Sequence, residues 1–163
     1  MLKPETEDAA ARAPSDSPGR LLAIDLGAKR VGVAVSDELR ITVKPLPAIV
    51  RRSWKDFLRR IVALVKAYDA RGMVIGLPLR LDGVEGEAAQ DARALATKFQ
   101  RSLDIPLYLQ DERLTTFEAA SDLRSVARSE HEIDAAIDSE SAALILRDFI
   151  VSKDRPTALE NSA

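Results

Sequence analysis

Apolar residues fall along the chain in blocks whose period switches from two to between three and four, and the switches predict the elements. Leu21-Leu-Ala-Ile-Asp25 is a short apolar run that ends on an acid and a glycine-containing turn. Val31 to Ser36 is a second β-rich run, near enough to pair with the first as a hairpin. A third extended stretch, Ile41 to Ile49, holds Pro45 and Pro47, which confines it to an edge or an irregular strand. Trp54, Phe57, Leu58, Ile61, Val62, Val65 and Tyr68 then recur at helical spacing. Met73-Val-Ile75 reads as a buried strand, followed from Gly76 to Gly83 by a loop with Asp82-Gly83 as its tight turn. Ala88, Ala92, Leu95, Ala96 and Phe99 mark a second helix, and Pro106 to Gln110 a further strand. Thr115 with Glu118 makes a capping box that opens another helix. The last helix is expected to begin near Asp138 and to bury Ala142, Leu146, Phe149 and Ile150.

Hairpin-joined strands followed by strand–helix alternation imply an α/β domain, a mixed sheet with helices on its faces. Residues 1–19 and 153–163 are rich in small and charged residues without periodicity and read as tails. The folded domain is therefore expected over residues 20–152. The leading segment has no apolar centre of the kind a secretory signal needs, so a cytoplasmic protein is expected, and no apolar run is long enough for a membrane span.

Composition narrows the chemistry. The 163 residues contain no cysteine and one histidine, His131. That excludes a disulfide framework, a thiolate zinc site and a cysteine nucleophile, and leaves oxygen as the donor for any metal. The formal charge is −2, which is not the overall signature of a nucleic-acid binder. The charge is uneven, however. Nine Lys and Arg stand against Asp56 and Asp69 between Arg40 and Arg71, and six acids against Arg147 between Glu130 and Asp148. On charge alone these are two solvated helix faces.

Three places can carry chemistry. Asp25 sits at the carboxyl end of the first strand, where ligands gather in α/β sheets, and Lys29 and Arg30 follow within reach of phosphate oxygens. Asp111-Glu112-Arg113 repeats the arrangement at the end of a later strand. Asp138 is the third acid, with Asp134 a competitor one turn earlier, and an N-cap role accounts for it equally well. The loop from Gly76 can hold a substrate backbone. Three acids brought together repel one another unless divalent cations neutralise them, and Mg²⁺ takes oxygen ligands completed by phosphate. Two such ions activate water and stabilise a leaving oxygen in phosphodiester cleavage.

Taken together, Ile24-Asp-Leu-Gly-Ala-Lys-Arg-Val-Gly-Val-Ala-Val-Ser-Asp37, Val74-Ile-Gly-Leu-Pro78 with Asp82-Gly83, Asp111-Glu-Arg-Leu-Thr-Thr116, and Ile137-Asp138 with Ser141-Ala-Ala-Leu-Ile-Leu146 resemble the YqgF family, also called RuvX. The resemblance runs in order from Leu21 to Ile150. It implies a RuvC-like RNase H fold, a five-stranded mixed β-sheet flanked by α-helices. It also implies a nuclease that matures the 5′ end of pre-16S ribosomal RNA, with cutting of four-way DNA junctions (Holliday junctions) as the alternative. The family's acidic site falls on Asp25, Glu112 and Asp138, which would hold Mg²⁺ or Mn²⁺; Lys29, Arg30, Gly76 and Arg113 become substrate contacts. Glu112 is preferred to Asp111 because strand alternation puts Tyr108, Gln110 and Glu112 on one side. The segment Ser129-Glu-His-Glu-Ile-Asp-Ala-Ala-Ile137 departs from a family loop that often carries Gly and Lys, and Arg80 stands where the family often has Asn.

The implied partners are nucleic acid, either precursor rRNA or branched DNA, and the small ribosomal subunit. A junction cutter favours a homodimer, whereas an RNA trimmer can act as a monomer. Two other classes compete. A non-catalytic assembly factor would bind ribosomal RNA without cutting it. An ATP-binding protein of the actin and sugar-kinase type would share the Asp25-x-Gly27 turn, but needs a second such turn and a second domain.

Overall fold

The computed structural model describes residues 19–80, 82–111, 130–152 and 156–160, with the side chains of 130–138 excepted. Strands β1 (Leu21–Leu26), β2 (Arg30–Ser36) and β3 (Val43–Val50) come first, then helix α1 (Trp54–Tyr68), β4 (Gly72–Leu77), α2 (Glu87–Ser102), β5 (Leu107–Asp111) and α3 (Glu130–Val151). The five strands form one sheet in the order β3-β2-β1-β4-β5. β1 pairs antiparallel with β2 and β2 with β3, whereas β1–β4 and β4–β5 are parallel. The mixed sheet expected from the order of elements is thus present.

Burial explains why the central strands are continuously apolar. Leu22, Ile24, Val33, Met73 and Ile75 face α1 and α2, where Phe57, Ile61, Ala96 and Phe99 complete one core. Leu21, Ala23, Ala34, Val74 and Tyr108 face α3 and meet Ala142, Ile145, Leu146 and Phe149 in a second core. With both faces covered, β1 and β4 have little polar side and lose the alternation of a half-solvated strand.

β3 is the edge strand that its prolines required. Its pairing with β2 slips by one residue between Val31 and Val33, opposite the segment Leu46–Ile49 that contains Pro47. A bulge there absorbs a residue that has no N–H to donate. α1 opens on Ser53, whose hydroxyl accepts from the Asp56 N–H at 3.1 Å, and closes on Asp69 in the left-handed region, φ 49°. Trp54, Phe57 and Phe99 meet edge to face, with ring centroids 4.9–6.3 Å apart, and join α1 to α2.

Four expectations change. In α2 the buried alanine of the first turn is Ala89, while Ala88 is exposed. Gly76 is the fifth residue of β4, paired with Gln110, so the loop begins only after Leu77. β4 is flanked by partners on both sides, and the ladder carries it beyond the apolar triplet. α3 starts at Glu130, so Asp138 lies inside a helix rather than at its cap. No glycine or proline separates 130 from 138, and nothing in the sequence stops the helix from extending backwards. Finally, residues 156–160, expected to be part of a tail, run beside β5: the Leu159 N–H donates to the Leu107 carbonyl at 2.8 Å, and Leu159 packs on the α1/α2 core. The capping box at Thr115 and Glu118 lies outside the described residues.

Candidate active site

The carboxyl ends of β1, β4 and β5 lie at one end of the sheet, as parallel pairing demands. Ile24 stands beside Ile75, Gly76 beside Gln110, and Leu77 beside Asp111, so Asp25 is level with Gly76 and Gln110. Asp25 is half-buried and in phase with Leu21 and Ala23, which face α3. Its carboxylate therefore belongs to the α3 side of the sheet.

Two devices hold the turn after Asp25. The Gly27 N–H donates to the Arg30 carbonyl at 3.0 Å and closes the hairpin. A β-carbon at Gly27 would stand 2.5 Å from that same oxygen, so only glycine lets the two backbones approach. From the other side Arg51, just after β3, donates from its guanidinium to the Gly27 carbonyl at 2.9 Å, and its N–H donates to the Lys29 carbonyl at 2.8 Å. Sequence reading passed over Arg51 because it stands in a run of cations with no motif of its own. Lys29 is exposed at the tip of the turn, and Arg30 is half-buried at the start of β2.

Asp111 is separated from Asp25 in two ways. β4 stands between their strands, which at about 4.8 Å per strand puts the backbones roughly 10 Å apart. Asp111 is also in phase with Leu107 and Leu109, which face α1 and α2. It lines a cavity of about 450 Å³ with Leu77, Arg93, Leu109, Thr157 and Leu159. Glu112 and Arg113 lie outside the described residues.

Position 138 is on α3, one helical turn before the buried Ala142. The next residue fixes the helix: Ser139, buried, donates from its hydroxyl to the Leu46 carbonyl at 2.5 Å. Leu46 pairs with Val33 and Val33 with Ile24, so this anchor lies on a row of the sheet one residue from Asp25. Farther along, Phe149 packs against Tyr108 with ring centroids 4.8 Å apart and planes tilted by 52°, so α3 crosses its face of the sheet from β3 towards β5. Ser139 escaped sequence reading because a lone serine in a helix carries no signal of a tie to a strand 93 residues away. Among the described residues no group of three acids or histidines is placed to hold a cation.

The loop after β4 is a small hairpin. Leu79 pairs with Glu85, the Arg80 N–H donates to the Val84 carbonyl, and Gly83 takes φ 82°. Asp82 accepts from the Val84 N–H at 3.0 Å, the tight turn that the Asp-Gly pair implied. Arg93 of α2 donates to Glu85 at 2.7 Å and ties this hairpin to the helix.

Comparison with known proteins bears on the family and the fold. A family described as "RuvX: Holliday junction resolvase" matches residues 19–152. A protein of Anaeromyxobacter sp. (strain K), provisionally named a pre-16S rRNA nuclease, is 40% identical over 131 residues, which are 80% of this chain and 96% of that one. A Synechococcus protein with the same name is 39% identical over 135 residues, 83% of this chain and 91% of its own. Among solved structures, the Fowlpox virus resolvase in complex with Holliday junction DNA superposes with a TM-score of 0.50 at 10% identity, over 82% of this chain and 99% of that one. That likeness shows the fold. Among the described residues no helix is long and apolar enough to cross a membrane.

Proposed function

The chain belongs to the RuvX family, and from that premise we propose that it is a nuclease that hydrolyses phosphodiester bonds in precursor 16S ribosomal RNA. The observation that carries the reading is the position of Asp25. Its carboxylate stands at the carboxyl end of β1, on the face that α3 crosses, with the anchor next to position 138 on an adjoining row. Asp25, Glu112 and Asp138 form the acidic set of this reading. The orientation of Asp111 towards α2 supports Glu112 as the acid of the β5 end.

The donors fit a hard divalent cation. They are carboxylate oxygens, in a chain without cysteine and with one histidine. Mg²⁺ or Mn²⁺ bound there would polarise the phosphate and favour attack by water. The chain's own part is to fix the acids and to grip the strand. Gly27 and Arg51 hold the turn that presents Asp25, Ser139 holds the helix that carries Asp138, and Lys29 and Arg30 offer cations to the phosphates beside the cut. Arg113 has the same role from the β5 side, and the backbone at Gly76 lies level with Asp25, between β1 and β5.

The test is cleavage of a precursor RNA by the purified full-length chain with Mg²⁺ or Mn²⁺, beside Asp25→Asn. Cutting by the parent and its loss in the variant, with unchanged melting, is the expected result. RNA that is bound but never cut would instead make the chain an assembly factor, and cutting that survives the substitution would place the chemistry elsewhere. A four-way DNA junction belongs in the same assay, because the family description names that substrate.

A further inference from the structure

The structure sorts the nine cations between Arg40 and Arg71. Arg59 and Arg60 both pair with Asp56, at 2.6 and 3.1 Å, and Arg71 pairs with Asp69 at 3.2 Å. Arg40 donates to the Gly19 carbonyl and Arg51 to the Gly27 carbonyl, each at 2.9 Å. Lys44 and Lys66 are exposed but stand away from the turn after Asp25. Lys44 pairs with Val35, towards the opposite end of β2, and Lys66 lies in the last turn of α1. Arg52 and Lys55 remain. Both are exposed and make no ion pair among the described residues, and the same holds for Lys29 in the turn beside them.

These three cations are near one another for a backbone reason. The Arg51 N–H on the Lys29 carbonyl, 2.8 Å, puts residue 52 beside the β1–β2 turn. Ser53 then caps α1, so Lys55 falls in its first turn, where the unpaired N–H groups of the helix add positive potential. The surface continues from Lys55 into a groove of about 610 Å³ along the outer side of α1, lined by Ser53, Lys55, Asp56, Leu58, Arg59 and Val62. Its acid, Asp56, is held by two arginines, and half-buried Leu58 and Val62 give it an apolar floor.

We infer that Lys29, Arg52 and Lys55 form a lane for the sugar–phosphate backbone of the RNA strand on one side of the cut, with the α1 groove taking the nucleotides that follow. The inference rests on the nuclease reading for the identity of the strand, and on charge complementarity for its path. Each cation on a phosphate releases condensed counterions, so the lane has a signature in salt that a structural role lacks.

The experiment reads binding, not cutting. In an Asp25→Asn background the full chain is titrated with a labelled single-stranded RNA spanning a precursor 16S end, by fluorescence anisotropy from 50 to 200 mM salt. Arg52→Ala with Lys55→Ala is expected to weaken binding roughly 15-fold near 150 mM and to lower the log–log salt slope by about 1.4, for two lost single-strand contacts. Arg52→Lys with Lys55→Arg should restore both. Lys44→Ala with Lys66→Ala, which removes the same charge elsewhere, should leave both as in the parent. An unchanged slope in the first pair, an equal loss in the second, or no binding of RNA by the parent overturns the lane. Loss confined to a four-way DNA junction overturns RNA as its occupant. Cleavage that survives Asp25→Asn counts against the catalytic assignment and leaves this measurement standing.

Discussion

Replacing Gly27 by alanine tests the turn behind Asp25 with a single methyl group. The added carbon would stand 2.5 Å from the Arg30 carbonyl oxygen, where ordinary contact begins near 3.4 Å, so the hairpin must open by about 0.9 Å. The Gly27 N–H to Arg30 bond is 3.0 Å long, and that opening carries it out of hydrogen-bond range. Losing the bond costs about 1 kcal/mol, and the forced backbone shift about 1–3 kcal/mol more. A chain of this size should melt about 5–15 °C lower. The Arg51 guanidinium holds the same residue by its carbonyl, so the displacement is passed to the turn that presents Asp25. A misplacement near 1 Å is worth about a hundredfold in rate. Differential scanning calorimetry gives the first number and initial rates of RNA cleavage at saturating metal the second. A variant that melts within a degree of the parent would refute the reasoning, because the methyl would then have found room that the structure denies it.

Ser139→Ala removes the tie between α3 and the Leu46 carbonyl and should cost about 1–3 kcal/mol in urea unfolding, with cleavage falling more than stability alone explains. Gly86, the N-cap of α2, has no side-chain cap, and a β-carbon added there would meet only the Arg80 side chain, at an ordinary contact distance of 3.9 Å. Gly86→Ser should therefore stabilise by about 0.5 kcal/mol, visible as a small rise in melting temperature. Backbone N–H groups of Thr42 and Ile41 hold the Asp37 carboxyl below its ordinary 3.8, and Arg59 does the same for Asp56. Arg93 lowers Glu85 from 4.5. A depressed carboxyl stabilises fully above its unfolded value and loses that contribution as the pH falls through the folded one. Urea midpoints should thus hold from pH 7 to about 5 and fall below pH 4, and Asp37→Ala should flatten part of that fall.

Among the described residues, the order of elements, the central strands and the hairpin are legible in the sequence alone. These follow from local rules: apolar runs bounded by turns, a helical period from Trp54 to Tyr68, and prolines that exclude a central strand at Ile41–Ile49. It also marked Asp25, because an acid at the end of an apolar strand has few structural uses. The faces needed the fold. Asp111 and Glu112 differ by one residue in sequence, but a pleated strand turns neighbours to opposite sides, and only the two packed cores say which side α3 covers. Arg51 and Ser139 were invisible for the same reason in stronger form. Each acts on a backbone group 24 or 93 residues away, and no periodicity in the chain encodes a contact made across strands. The cation run shows the limit most plainly. Composition counted nine charges, and their meaning came from which ones the fold had already paired.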